Sequence, residues 1–350
     1  MGNMEQLEKI DFHKFDPNGM IKHVENFPSL CKEAFDLAQD FSIPSYYIKA
    51  RKIVFIGMGG SGQAGDILKD LLADTDLIVE SVHNYSIPNW VDQDTLVIAN
   101  SYSGNTEETL SGFIQAYQKG AKLLAITTGG KLKILAAKYK APIFAFSYDS
   151  PPRAAFPYLF MPLISILNKL GYIEFSNDDI GETLSILNSA VTKFGSETSS
   201  FQNPAKILAQ KIHGKIPVIY ASERLKGVSA RIKAAFNENG KNFAFSEDLP
   251  DLNHKSLEGL TNPSEMVYVL MVESNTEFER NLLRENITAD ILAKFKVPLE
   301  RIKFIQAKDR VTEICLHVMF GDFVSSYLAI LNKANPGINE IVDLFKNRLT

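Results

Sequence analysis

Cysteine is scarce in this chain. Only Cys31 and Cys315 occur among its 350 residues, far apart, with no Cys-x-x-Cys or Cys/His cluster around either. Neither a disulfide framework nor a thiolate metal centre organises such a sequence, and two buried thiols in a reducing compartment are what this usage implies. The six histidines, His13, His23, His83, His213, His254 and His317, show no zinc-like spacing, so no metal site is expected. A strong net charge is missing too. The formal value of −4 supplies no field that would draw nucleic acid or an anionic membrane. An anionic ligand would have to be held by local donors. The apolar runs read as too short to span a bilayer. The opening Met1-Gly2-Asn3-Met4-Glu5-Gln6 lacks a basic-then-apolar leader pattern and has Gln6 where a myristoylation pattern needs Ser or Thr. The cytoplasm is the expected compartment.

What is present is an alternation of short apolar runs with helical spacings. The length exceeds what one core usually fills, so two domains are expected, over residues 1–175 and 176–350. Residues 1–48 read as mostly helical, with turns around Pro17-Asn18-Gly19 and Pro28. Strands are predicted at Lys52–Gly57, Leu77–Val82, Thr95–Asn100, Lys122–Thr127 and Pro142–Ser147, with helices at Gln63–Leu72 and Thr106–Gln118. Continuous apolar strands separated by helices mean a parallel sheet covered on both faces, a doubly wound α/β domain. Helices at Tyr158–Leu170 and Asn177–Gln202 lead into a second alternation. Its strands are predicted at Ile216–Ala221, Asn242–Phe245, Met266–Val272 and Lys303–Gln306, with helices at Arg224–Asn239, Glu277–Phe295 and Arg310–Asn332.

In such sheets ligands sit beyond the carboxyl ends of the strands, at helix N-termini. The first strand runs into Gly57-Met58-Gly59-Gly60-Ser61-Gly62, where glycines let the backbone approach an anion and free N–H groups face it. The same loop matches G-x-G-x-x-G, and Glu80 stands where a dinucleotide site wants an acid. The third strand ends in Ser101-Tyr102-Ser103-Gly104-Asn105-Thr106. Helix capping by Thr106, with Thr109, accounts for one or two of these hydroxyls. Three beside a glycine, facing a second glycine-hydroxyl loop, suit a phosphomonoester, whose oxygens need several short donors. Gly60, Ser61, Ser101, Ser103 and Thr106 are the candidate phosphate ligands.

The segments FIGMGGSGQAGD (55–66) and SYSGNTEETL (101–110) resemble the sugar isomerase (SIS) domain. PPRAAFPYLF (151–160), FNENGKNFAFSEDLPDLNH (236–254) and INEIVDLFKNRL (338–349) are similar to the bifunctional phosphoglucose/phosphomannose isomerase family. That resemblance covers nearly the whole chain. It implies two SIS αβα domains with added terminal helices, a cofactor-free aldose–ketose isomerisation of glucose 6-phosphate and fructose 6-phosphate, and a homodimer. Glu238 closes a helix that Gly240 is expected to cap, where the negative end of the dipole disfavours a carboxylate's charge. The resemblance makes it the base. Arg153, stiffened by Pro151 and Pro152, has the permanent charge an enediolate needs and takes that role in the family. His254 in Leu252-Asn253-His254 is implied to open the sugar ring from across the dimer interface, assisted by Lys346. Ile338, Ile341, Val342, Phe345 and Leu349 are expected to form a buried stripe on the last helix, with Lys346 on its flank. Asn335 and Asn339 depart from the family's usual residues and leave acceptance of mannose 6-phosphate open.

Three rivals remain beside this reading. A non-catalytic SIS sensor would keep the loop hydroxyls but has no need of Arg153, Glu238, His254 and Lys346 together. The glucosamine 6-phosphate-forming amidotransferases need an N-terminal cysteine nucleophile, and this chain begins Met1-Gly2-Asn3. A dinucleotide-binding oxidoreductase would be revived by NAD binding.

Overall fold

A computed structural model describes Leu7 and residues 12–349. Contacts divide the chain into two compact units: one of Phe27–Ser185 with Lys226–Val228, the other of the described parts of Met1–Asn26, Ile186–Leu225 and Ser229–Thr350. Each holds one parallel sheet.

The first unit carries β1 (Lys52–Ile56), β2 (Ile78–Val82), β3 (Thr95–Asn100), β4 (Lys122–Thr127) and β5 (Ile143–Ala145), in the order β2-β1-β3-β4-β5. Every pairing is parallel. All six residues of β3 are buried, as a central strand covered on both faces requires. One face packs Val54, Ile56, Val97 and Ala99 against Phe113 and Ala116 of the helix Glu107–Gln118. The helices Phe27–Gln39 and Phe156–Lys169 pack on each other in the same unit. Pro28, expected in a turn, lies instead in the first turn of Phe27–Gln39, where a missing N–H costs nothing.

The second unit carries β6 (Ile216–Ala221), β7 (Phe245–Asp248), β8 (Val267–Glu273) and β9 (Leu299–Lys303), all parallel, in the order β7-β6-β8-β9. The central strands fall at or within a residue of their predicted places. The two edges do not: β7 lies three residues later than expected and β9 four earlier. Their sequences, Phe-Ser-Glu-Asp and Leu-Glu-Arg-Ile-Lys, are charged. Edge strands carry charge because one side faces water and must not recruit another strand, so an apolar-run criterion slides past them.

The helix Arg310–Leu331 corrects the expectation on apolar runs. It is long and apolar enough to cross a bilayer by length and composition, and it is buried along its whole window as a core helix. Arg231 on the helix Lys226–Glu238 forms a buried ion pair with Asp322 of this core helix, at 2.9 Å, and Asn239 Nδ2 donates to Ser325 Oγ at 3.0 Å. The helix end bearing Glu238 is thereby fixed to the core of its unit.

His317 and Glu285 are fully buried titratable groups of this unit. His317 is held neutral by burial, its pKa pushed down to about 4, and is a structural histidine. Glu285 is pushed up to about 7 by burial, with Glu273 and Glu277 adding to the effect while the Ser222 hydroxyl and Arg301 oppose it. The folded chain therefore holds the Glu285 proton more tightly than the unfolded chain does. Its contribution to stability is fully present below the ordinary value of 4.5 and is lost as pH rises toward about 7. Glu285→Gln is expected to flatten the fall of the thermal midpoint between those two pH values and to raise the midpoint above neutrality. Midpoints measured across that range check this; parallel pH curves for the two proteins would contradict it.

Candidate active site

The two predicted loops emerge from neighbouring strands, β1 and β3, and the structure joins them directly. The Tyr102 N–H donates to Ser61 Oγ at 3.1 Å. Asn100, the last residue of β3, donates from Nδ2 to the Ser61 carbonyl at 3.2 Å and to the Leu159 carbonyl at 3.1 Å. Ser61 and Ser101 are buried, Thr106 is half-buried and Ser103 is exposed. The helix after β1 begins at Gly59, four residues earlier than predicted, so the glycines form its first turn rather than a preceding loop.

Capping does not absorb the hydroxyls. Thr106 sits at the N-cap of Glu107–Gln118 but makes no side-chain cap bond; its Oγ1 lies 3.1 Å from Ser101 Oγ. Thr109 Oγ1 is buried without a partner. Met58, the N-cap of the first helix, supplies no cap either. Both helices thus reach the loop pair with no side-chain acceptor on their first N–H groups, the condition under which an anion is favoured there. Ser101 Oγ also accepts from Gly104 N, and Ser103 Oγ from Asn105 N, which curls the second loop. Gly104 has φ +66°, and a Cβ there would lie 1.9 Å from the Gly129 carbonyl oxygen.

Arg153 belongs to the same cluster. It lies in the 3-10 turn Pro152–Ala155, is buried at 4% exposure, and its Cα would sit 3.5 Å from a Cβ on Gly60. Tyr102 reaches the segment leading to it: its Oη lies 2.5 Å from the Tyr148 carbonyl oxygen and 3.1 Å from that of Ser150. Gly60, Ser61, Ser101, Ser103, Thr106 and Arg153 are therefore assembled in one unit. Glu80, the acid expected of a dinucleotide site, is ion-paired with Lys69 at 3.1 Å.

The equivalent loops of the other unit are filled from within. After β8, the counterpart of β3 in strand order, Ser274-Asn275-Thr276-Glu277 matches Ser103-Gly104-Asn105-Thr106-Glu107 with the glycine left out. Here Ser274 Oγ donates to Glu313 at 2.7 Å, and Asn275 N donates to the same carboxylate at 2.5 Å. Burial pushes the Glu313 carboxyl up, and these donors with Arg310 and Lys303 oppose it. A side-chain carboxylate occupies these donors, whereas in the first unit the loop hydroxyls contact one another and the loop backbone.

The remaining predicted residues lie in this second unit. Glu238 ends its helix half-buried, and Asn339 Nδ2 donates to its Oε2 at 2.9 Å. The residue in the left-handed region is Lys241, at φ 51°, not Gly240; its ammonium caps the carbonyls of Glu238 and Ile338. Gly240 is needed for space, since a Cβ there would lie 2.7 Å from the Phe236 carbonyl oxygen. His254 is exposed at the end of the 3-10 turn Asp251–His254, and Lys346 is exposed on the helix Glu340–Asn347. The expected buried stripe is corrected: in the single chain Ile341 is 77%, Phe345 62% and Leu349 64% exposed. Asn100 and Tyr102 were not legible as contributors, although both stand at a strand end on the loops' side of the sheet; Asn339, expected only as a departure bearing on mannose 6-phosphate, is found bonded to Glu238. Among the described residues no cluster of three or more His, Cys, Asp or Glu could hold a metal ion.

Twin parallel sheets with a hydroxyl-rich loop pair on one of them define a double-SIS sugar-phosphate protein. Residues 46–138 match the SIS domain model, and residues 201–349 match that of the bacterial phospho-glucose isomerase C-terminal SIS domain. The chain is 35% identical over 335 residues to the bifunctional phosphoglucose/phosphomannose isomerase of Caldicellulosiruptor bescii, covering 94% of this chain and 98% of that one. It is 32% identical over 302 residues to the Aquifex aeolicus protein of the same name, covering 85% and 90%. The chain belongs to the bifunctional phosphoglucose/phosphomannose isomerase family. Among solved structures, the C-terminal domain of glucosamine-fructose-6-phosphate aminotransferase from Francisella tularensis superposes with a TM-score of 0.68 at 13% identity, over 91% of this chain and 98% of that one. At that identity the likeness speaks for the fold alone.

Gly104→Ala tests the loop pair. An alanine held in the left-handed region costs about 1–2 kcal/mol, and its Cβ must also clear the Gly129 carbonyl. Inhibition by inorganic phosphate, competing with sugar phosphate, is expected to weaken at least roughly tenfold with the circular dichroism spectrum preserved. Unchanged inhibition would place the phosphate elsewhere.

Proposed function

We propose that this chain interconverts glucose 6-phosphate and fructose 6-phosphate through a cis-enediolate, and that mannose 6-phosphate enters by the same intermediate. The observation that carries this is the Ser61–Tyr102 bond, which makes one donor surface of two loops in a chain whose relatives are named for that reaction. Gly60, Ser61, Ser101, Ser103 and Thr106 hold the phosphate. Glu238 takes the proton from C2 of the open-chain aldose, the electrons form the enediolate, and the proton returns to C1; the reverse passage runs from the ketose. Arg153, whose charge is permanent, stabilises the developing oxyanion. His254 and Lys346 open the ring by moving a proton between O5 and O1.

The Asn339 amide supports the assignment of Glu238, because a donor on Oε2 orients the carboxylate. The working form in this reading is a cytoplasmic homodimer, in which His254 serves the partner's site. The exposed position of His254 and the uncovered apolar face of the last helix support that assembly. Shared proton transfer at C2 also makes the two aldose substrates compatible, since the planar enediolate keeps no memory of the C2 configuration.

Glu238→Gln is expected to lower turnover of fructose 6-phosphate at least about a hundredfold while sugar phosphate still binds. Retained turnover in a coupled assay would remove Glu238 from the role of base. A second test reads the interface. Glu238→Gln and His254→Ala chains, each inactive alone, are expected to recover about a quarter of wild-type activity when mixed and re-equilibrated, because a two-fold hybrid rebuilds one of its two sites. No recovery would place His254 in its own chain's site.

A further inference from the structure

His83 lies at the phosphate loops without belonging to the reaction as described. It follows β2 directly, at the same edge of the sheet from which the two loops emerge. Its Nδ1 is 2.8 Å from the Gly57 carbonyl oxygen and its Nε2 is 2.7 Å from Asp66 Oδ1, on the helix Gly59–Leu71. The ring packs on Gly62 so closely that a Cβ there would lie 2.6 Å from both Cε1 and Nδ1. This is a physical reason for the last glycine of the loop: the imidazole occupies the space a side chain would take.

Both ring nitrogens face oxygen acceptors, and only the imidazolium can donate to both. The Asp66 carboxylate accordingly raises the His83 pKa, with partial burial opposing it and the Gly57 carbonyl and Glu80 assisting. Ser81 Oγ, 3.3 Å from Nε2, is the remaining polar neighbour, and Lys69 faces Glu80 rather than the ring. Holding the Gly57 carbonyl fixes the plane of the 57–58 peptide, because a trans peptide is rigid and its C=O and N–H point opposite ways. The Met58 N–H, at the N-cap of the helix, is aimed by the same contact.

We propose that His83 is a positioning residue for the phosphate: as an imidazolium bridging Gly57 and Asp66 it fixes the glycine loop and places one positive charge behind it, so that its protonation sets phosphate affinity rather than the rate of proton transfer. The proposal rests on the reading of the two loops as the phosphate site. When pH rises through the His83 titration, one of its two donors is lost. The Gly57 carbonyl is released or the Asp66 carboxylate loses its partner, and phosphate affinity falls on the alkaline side. By reciprocity, bound phosphate must raise the His83 titration midpoint.

The direct test is a histidine NMR titration of the whole protein with and without saturating inorganic phosphate. The His83 resonance is assigned from His83→Gln or, should that variant not fold, from the signal displaced in Asp66→Asn. An upward move of the His83 midpoint with phosphate is expected. In kinetics, His83→Gln keeps a donor but no charge. KM for fructose 6-phosphate should rise roughly three- to tenfold, the worth of one hydrogen bond, with kcat within about twofold and the alkaline rise of KM abolished. A midpoint unmoved by phosphate, or a fall in kcat at unchanged KM, would overturn the proposal. Ser101→Ala separates it from the site reading. Phosphate inhibition lost in Ser101→Ala beside an unmoved His83 midpoint defeats His83 alone, whereas inhibition unchanged in Ser101→Ala defeats the phosphate site itself.

Discussion

The hydrogen bond from the Tyr102 amide to Ser61 Oγ makes the rest of the site intelligible. Separately, a glycine loop after one strand and a serine-threonine loop after its neighbour are each ordinary turns. Joined, they bring two uncapped helix N-termini and several hydroxyls onto one surface, suited to the oxygens of a phosphate. Around that bond the supporting contacts come from strand ends and the next turn. Asn100 ties Ser61 to Leu159, Tyr102 ties the second loop to the segment entering Arg153, and His83 braces the first loop from behind.

The two units show what distinguishes a ligand site from its internal copy. Both have the same strand order at their centre, and the third strand of that order is followed by Ser103-Gly104-Asn105-Thr106-Glu107 in one unit and by the one-residue-shorter Ser274-Asn275-Thr276-Glu277 in the other. In the second unit Glu313 satisfies the serine hydroxyl and the following amide. Donors already bound to a buried carboxylate offer little to an incoming anion, because a new partner would displace a satisfied one. The same scaffold occurs twice in one protein, and in the second copy its loop holds the unit's own core helix in place.

Much of the fold was legible because central strands are buried on both faces and read as unbroken apolar runs, as in Thr95–Asn100 and Ile216–Ala221. The edge strands of the second unit were misplaced because charge marks an edge and hides a strand. The pairing of the two loops was legible because glycine and hydroxyls cluster at strand ends for few structural reasons. His83 was not, since nothing local marks a histidine whose partners lie 17 and 26 positions earlier in the chain. The cap after Glu238 went to Lys241 rather than Gly240 because the glycine is demanded by close packing against Phe236. The apolar stripe of the last helix was visible as a stripe, but periodicity says only that a face is apolar, not what covers it.

The chemistry assigned to this surface is most directly read by following glucose 6-phosphate in D2O by NMR. The account predicts fructose 6-phosphate appearing together with deuterium at C2 of the remaining aldose, both lost in Glu238→Gln. Absence of conversion would contradict the enzyme assignment. Conversion that persists in Glu238→Gln, with no deuterium entering either sugar, would contradict proton transfer by that base through an enediolate.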